Sequence, residues 1–484
     1  VNSKVSMNGV TVRDFRAVYD VNYANHITQI KQNLNGSEWA VTDLKYDSYG
    51  NIIQKTLPEN YKKERPFYKY RYDDQFKMYV EEISDNFEYR SYARNYDSRY
   101  GIALETEDVN GYLIKKEIDE FGRLTKVQGP KEAAAGQPYT IAMEYFPTTT
   151  VSNGNITRTA YARTKHFDAQ HPNDPIETVT FVDGLGRPIQ VKKDGAITDN
   201  KTPDQQSDVM VVSGRAKFDA FGRVKAAYYP QTAPLGDWNK FMDSFDSVEP
   251  TKTVYDVLDR PVATTLPDGA ETKMAYSIEG DLLKTEVTDA LNNTNSSYAN
   301  GSGLTMKTLD ANSVATQFGY DGINRNISVT DAQGQQTLSK YDLADRRIEV
   351  IQPDAGKSTF KFDALNNLLE RQTANLEAKS KKITYEYEFN RLTNIHYPEN
   401  PQNDVRYVFG SKNESQNRKG RLILMEDATG AQEFSYGVMG EIESIRRTVI
   451  VPNSAVATYV TSWKYDSWNR LQEMIYPDQE KVSY

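Results

Sequence analysis

The chain has 484 residues, a formal net charge of -9, 38% hydrophobic residues and no cysteine. The missing cysteines exclude disulfides and thiolate metal sites. The interspersed charges argue against a nucleic-acid groove, and no apolar run approaches the ~18–20 residues that span a bilayer.

The modest apolar content is offset by 33 tyrosines, whose rings suit sheets that are wet on one or both faces. An aromatic-rich chain of β-formers also buries enough surface to fold, so disorder is excluded. The chain opens polar at Val1-Asn2-Ser3-Lys4, with no signal peptide and no initiator Met. It closes inside a repeat pattern at Glu480-Lys481-Val482-Ser483-Tyr484, which reads as a segment of a longer polypeptide.

Residues 1–45 carry short β-like runs such as Val10-Thr11-Val12. From 46 to 250 a motif recurs irregularly: an aromatic residue, Asp, two variable residues, then Gly, Asn or Asp, often followed by Arg. Clear copies there are Tyr46-Asp47-Ser48-Tyr49-Gly50 and Phe218-Asp219-Ala220-Phe221-Gly222-Arg223, with looser ones starting at Ile118 and Val182. Lys131-Glu132-Ala133-Ala134-Ala135-Gly136 reads as a surface loop with a helical turn. Within Pro230 to Pro250, Trp238, Phe241, Met242 and Phe245 sit at i, i+3, i+4 and i+7, which predicts a short helix near 237–247 packed on the sheet.

Residues 251–484 form the regular part of the array. Its clear copies start at Tyr255, Tyr320, Tyr341, Phe362 and Tyr465, and looser ones at Tyr276, Tyr387 and Tyr436. Tyr255 to Tyr276, Tyr320 to Tyr341 and Tyr341 to Phe362 are each 21 residues apart. The position three after Asp holds Gly50, Gly222, Asp259, Asn324, Asp345, Asn366 and Asn469. These residue types tolerate positive φ, as a type I turn closed by a bulge requires, and a helix would not restrict the position so. An apolar residue (Leu124, Val224, Leu368, Leu471) starts the return strand, and Pro-containing turns such as Leu266-Pro267-Asp268-Gly269 end it. Two strands and two turns fill ~21 residues at the usual strand length. The expected fold is all-β: tandem antiparallel hairpins forming a large curved or spiralling sheet, an open or partial shell.

These copies resemble the YD repeats of Rhs proteins, of the B and C components of bacterial Tc toxins and, more distantly, of teneurins. The resemblance is strong from about Tyr255 onward and patchier before it. It implies hairpins wound into a spiral sheet that encloses a hollow shell and, in bacterial members, a toxic C-terminal polypeptide. The family's motif near the shell's end, with its self-cleaving aspartyl site, is not found here, so self-processing is not expected.

Chemistry has few candidates. The histidines are His26, His166, His171 and His396. Only His166-Phe167-Asp168-Ala169-Gln170-His171 places two close together, and the following Asn173-Asp174-Pro175 reads as an ordinary loop. Gly184-Leu185-Gly186-Arg187 lacks the Lys-Ser/Thr and the helix of a phosphate loop, so a hairpin turn is preferred. The periodic Asp residues have sufficient work as turn formers. No catalytic, cofactor-binding or metal-binding residue is therefore expected. The expected function is a non-enzymatic scaffold in an exported bacterial shell, secreted or at the cell surface, with a C-terminal or partner polypeptide as toxin cargo. The alternative is a surface module that binds glycans or partner proteins through its Tyr and Arg side chains.

Overall fold

In the computed structural model, all seven clear copies take positive φ at the expected position, from Asn469 at 59° to Gly50 at 90°. The geometry is that of a type I turn with a bulge. At Asp321–Arg325, the Asn324 N–H donates to the Asp321 carbonyl (3.1 Å) and the Asp321 N–H to the Arg325 carbonyl (3.0 Å). The register shifts beside such turns, as between Lys361 and Phe362. The structure describes all residues except 8, 24, 153–154, 200–201, 244–247 and 452.

Among the described residues the strands fall into two large antiparallel sheets of 17 and 23 strands, built from tandem hairpins, and one separate two-stranded hairpin. Each strand typically pairs with the next in sequence, as Gly430–Tyr436 with Ile442–Val449 and Ile442–Val449 with Ala457–Tyr465. Among the described residues the α-helices are two short ones, Pro130–Ala134 and Ala374–Glu377. No helix among them is long and apolar enough to cross a membrane.

The chain divides into two compact units. The first joins Val1–Lys116, Gly129–Ala135 and Phe318–Tyr484; the second joins Glu117–Gln128 and Gly136–Gln317. This division follows contacts, whereas the stretches 1–45, 46–250 and 251–484 follow the regularity of the repeat.

Apolar burial in the second unit concentrates in two clusters. Tyr161, Val179 and Phe181 form one cluster, and Met210, Val212 and Ala233 another. Trp238 packs on both, Phe241 on the first and Met242 on the second. Of the helix expected near 237–247, the described residues 237–243 form none. A 3-10 turn spans Leu235–Asp237 and the chain then runs irregularly to 243; Phe245 lies outside the described residues. The sheet supplies the reason. Gln190, 1% exposed, accepts from the Met242 N–H (2.9 Å) and donates to the Met242 carbonyl (2.9 Å). Lys192 Nζ donates to the Asp237 carbonyl (2.8 Å). Backbone groups that a helix would satisfy internally are satisfied by buried side chains of a strand instead.

The first unit is held differently. Hairpins of residues 1–116 meet hairpins of residues 318–484 at their turns, more than 300 residues apart in sequence. The Tyr61 N–H donates to the Asp363 carboxylate (3.1 Å), Lys62 Nζ to the Tyr387 carbonyl (2.9 Å) and Asn60 Nδ2 to the Phe389 carbonyl (3.2 Å). Further along, the Arg391 guanidinium stacks on Phe87 (3.5 Å) and donates to the Tyr89 hydroxyl, which itself donates to the Gly410 carbonyl. Asn60, Asp363 and Asn367 are buried, so the seam is largely polar, with their side chains hydrogen-bonded.

Candidate functional site

The recurrent side chains build one device, repeated turn after turn. Asp321 Oδ1 accepts the N–H groups of Ile323 and Arg325 (both 3.0 Å), and Oδ2 accepts Arg325 Nε (2.6 Å). The same three bonds occur at Asp119, Asp183, Asp219, Asp256, Asp342 and Asp466. Burial alone would raise the Asp321 carboxyl. The bonds from Arg325 and Ile323 outweigh it and hold that carboxyl below the usual range.

The arginine then reaches forward. Arg325 Nη1 donates to the Asp342 carbonyl of the next such turn (2.8 Å), Arg346 Nη1 to that of Asp363 (2.5 Å) and Arg223 Nη1 to that of Asp256 (3.2 Å). The next repeat's aromatic ring lies under the same guanidinium: Tyr341 under Arg325 at 5.0 Å, Phe362 under Arg346 at 5.1 Å, Tyr255 under Arg223 at 4.8 Å. Its hydroxyl, where it is Tyr, donates to the carbonyl just after the arginine. Tyr341 bonds Asn326, Tyr255 bonds Val224, Tyr276 bonds Pro261 and Tyr436 bonds Leu422. In these copies aromatic, Asp and Arg thus lock a hairpin to its successor.

Asparagine can stand in for the arginine. Asn51 Nδ2 bonds Asp47 and the Lys77 carbonyl, and Asn367 Nδ2 bonds Asp363 and the Phe389 carbonyl. The looser copies at Tyr276 and Tyr387 lack the aspartyl turn and close tightly, pairing Glu279 with Leu282 and Glu388 with Arg391. At Tyr436 the charges differ: neutral Gly437 stands for Asp and anionic Glu441 for Arg. The missing cation is Lys131 of the short helix. Its Nζ meets Glu441 Oε1 (2.6 Å) and donates to the Tyr465 carbonyl (2.8 Å). Burial would raise the Glu441 carboxyl, and Lys131 overrides it. Lys131, expected in a surface loop, is thus the residue whose role sequence reading missed. Its signal was the reversed charge at Glu441.

The histidines do not converge. His26 stacks on Tyr46 (4.5 Å). His166 is buried at the end of Tyr161–His166, while exposed His171 pairs with Asp168 (3.2 Å). His396 lies between Asp404 (2.7 Å) and Glu386 (3.5 Å), one on each ring nitrogen; these raise its pKa against the opposing effect of burial. No group of three or more His, Asp or Glu suited to a metal occurs among the described residues. Gly184-Leu185-Gly186-Arg187 is a hairpin turn, with Gly186 at φ 73° and Asp183 capping Leu185 and Arg187.

No protein-family model matches the sequence, and neither does any curated protein. Solved structures do match in fold. The crystal structure of TcdB2-TccC3 superposes with a TM-score of 0.77 at 15% identity, covering 98% of this chain and 29% of the other. The TcdB2-TccC3-Cdc42 crystal structure gives 0.76 at 14%, covering 98% and 31%. The Photorhabdus luminescens Tc holotoxin pore, with a TccC3 variant, gives 0.78 at 14%, again covering 98% and 31%. The chain spans under a third of the length of those solved chains. Turn clasp, hairpin order and superposition agree: this chain has the tandem-hairpin YD fold seen in the Tc toxin TcdB2-TccC3 structures.

Proposed function

We propose that the chain is a non-enzymatic structural scaffold, a segment of an exported bacterial Tc-toxin-like shell that encloses or presents another polypeptide. The observation that carries this reading is the likeness in fold over 98% of the chain to TcdB2-TccC3 complexes. The turn ladder supports it: the repeated Asp and Arg side chains are committed to backbone groups and to one another, which suits a load-carrying wall rather than a reacting site. The partner is a polypeptide cargo, and the site of action is secreted or at the cell surface.

The test uses the natural polypeptide that contains this segment, purified with any associated chain and challenged with a broad protease. The scaffold reading expects a cargo segment that resists cleavage while the shell is folded and is cut once denaturant opens it. Equal cleavage in both conditions contradicts enclosure. Turnover of polysaccharide, peptide or phosphoester substrates, lost on a single substitution, contradicts the non-enzymatic part.

A further inference from the structure

The Gly437–Glu441 turn departs from the Asp–Arg turns in one consistent way. It closes as they do: the Gly437 N–H donates to the Glu441 carbonyl (2.8 Å), the Gly440 N–H to the Gly437 carbonyl (3.0 Å), and Gly440 lies at φ 93°. Its carboxylate, however, comes from the other end. Glu441 Oε2 accepts the Met439 N–H (2.9 Å), the bond that the opening Asp takes elsewhere, as Asp321 does from Ile323. Gly437 makes room for this, because a Cβ there would collide with the Glu441 carboxyl group. The glutamate does the aspartate's work from the arginine's position. The turn, Gly437-Val438-Met439-Gly440-Glu441, is left with no cation of its own.

Lys131 fills both parts of the vacant role. In the Asp–Arg turns the guanidinium pairs with its own carboxylate and reaches a carbonyl of the next turn, as Arg346 does with Asp342 and the Asp363 carbonyl. Lys131 Nζ pairs with Glu441 Oε1 (2.6 Å) and donates to the Tyr465 carbonyl (2.8 Å), with the Asp466 carbonyl at 3.4 Å. Both arms of the clasp thus come from the short helix Pro130–Ala134, distant in sequence. The Glu441 side chain is 4% exposed, so departure of the helix would leave a carboxylate in a buried place with its cation gone. A helix of five residues is too short to be stable by itself, so its contacts decide whether it stays. Lys131 also lines a cleft of about 760 Å³ with Tyr436, Glu443, Trp463 and Tyr465.

We propose that the helix Pro130–Ala134 is a releasable latch, and that the Gly437–Glu441 turn is the socket built to hold it through Lys131. Docked, the helix clasps this turn to the next and contributes to the wall of the cleft. Released, it opens the clasp at this joint alone, since turns such as Asp321–Arg325 and Asp342–Arg346 carry their own cations. The sequence shows the same division of labour: the turn that lost its arginine is the one that a distant lysine completes. The latch does not depend on the scaffold reading and stands whether or not the chain encloses a cargo.

Hydrogen exchange of the whole chain, followed by mass spectrometry, tests the latch by comparing wild type with two variants. In Lys131→Met, segments 129–136 and 437–442 should both exchange at least about tenfold faster, because the unpaired buried carboxylate opens the joint. Segment 321–326, closed by its own Asp321–Arg325 clasp, should exchange as in wild type. The triple variant Lys131→Met/Gly437→Asp/Glu441→Arg moves the clasp into the turn itself. It should return 437–442 to wild-type protection while 129–136 stays fast, with the helix released and the joint closed. That split separates a latch from a helix that is an inseparable part of the packing. Wild-type exchange at 437–442 in Lys131→Met, or a loss that spreads to 321–326, overturns the proposal. So does a triple variant in which 437–442 stays fast or 129–136 regains protection.

Discussion

Arg325 holds Asp321 of its own turn through Nε at 2.6 Å and the carbonyl of Asp342 in the next turn through Nη1 at 2.8 Å. One side chain therefore closes a hairpin and registers its successor. Arg325→Lys keeps the charge but loses the planar fork, so one of the two bonds must go. We expect a loss of about 1–2 kcal/mol, with faster hydrogen exchange confined to the hairpins either side. Exchange rising uniformly along the array would contradict the local clasp.

The positive-φ sites give a second expectation. Asn324, Asn366 and Asn469 lie at φ 69°, 69° and 59°. Asn→Gly should be neutral or mildly stabilising at each, whereas Asn→Val should cost about 1–2 kcal/mol per site. Denaturant titration of single variants measures both, and harmless valines at all three would refute the turn assignment.

A third concerns the irregular segment after Ala233. Gln190→Leu removes the amide that bonds both the N–H and the carbonyl of Met242. Two part-buried backbone groups then lose their partners, which should cost about 1–3 kcal/mol. Chemical denaturation checks the loss. Proteolysis near 237–243 should rise with it; a variant as stable as wild type would show that the segment does not depend on Gln190.

Acid should loosen the turns in a defined window. Burial alone would raise the Asp73 carboxyl. The N–H groups of Phe76, Tyr79 and Met78, all donating to it, outweigh this and bring it down to about 2. A carboxylate depressed on folding contributes stability that is fully present above its unfolded value near 3.8 and is lost as pH falls through the folded value. Exchange of the Met78 and Tyr79 amides should therefore be constant above pH ~5 after correction for intrinsic rates and rise between ~4 and 2. Asp73→Asn should flatten that rise, and an unchanged profile would contradict the account.

The hairpin array was legible because positive φ filters residue types so strongly that Gly50, Asp259 and Asn324 betray the same turn. The Arg after them was visible too, but its reach to the next turn was not, since that bond depends on sheet register. The short helix was misread because Trp238, Phe241 and Met242 at helical spacing look alike whether the backbone coils or is pinned by a distant Gln190. The polar seam was invisible for a simpler reason: Tyr61 and Asp363 are far apart in sequence, and nothing local marks either as a partner.

The scaffold claim is tested most directly by electron cryomicroscopy of the natural polypeptide that carries this segment. The account predicts that the segment appears as hairpin wall with clasped turns, bordering density for a second polypeptide held against or within it. A map in which the hairpins form a self-contained body with no polypeptide enclosed or presented would contradict it.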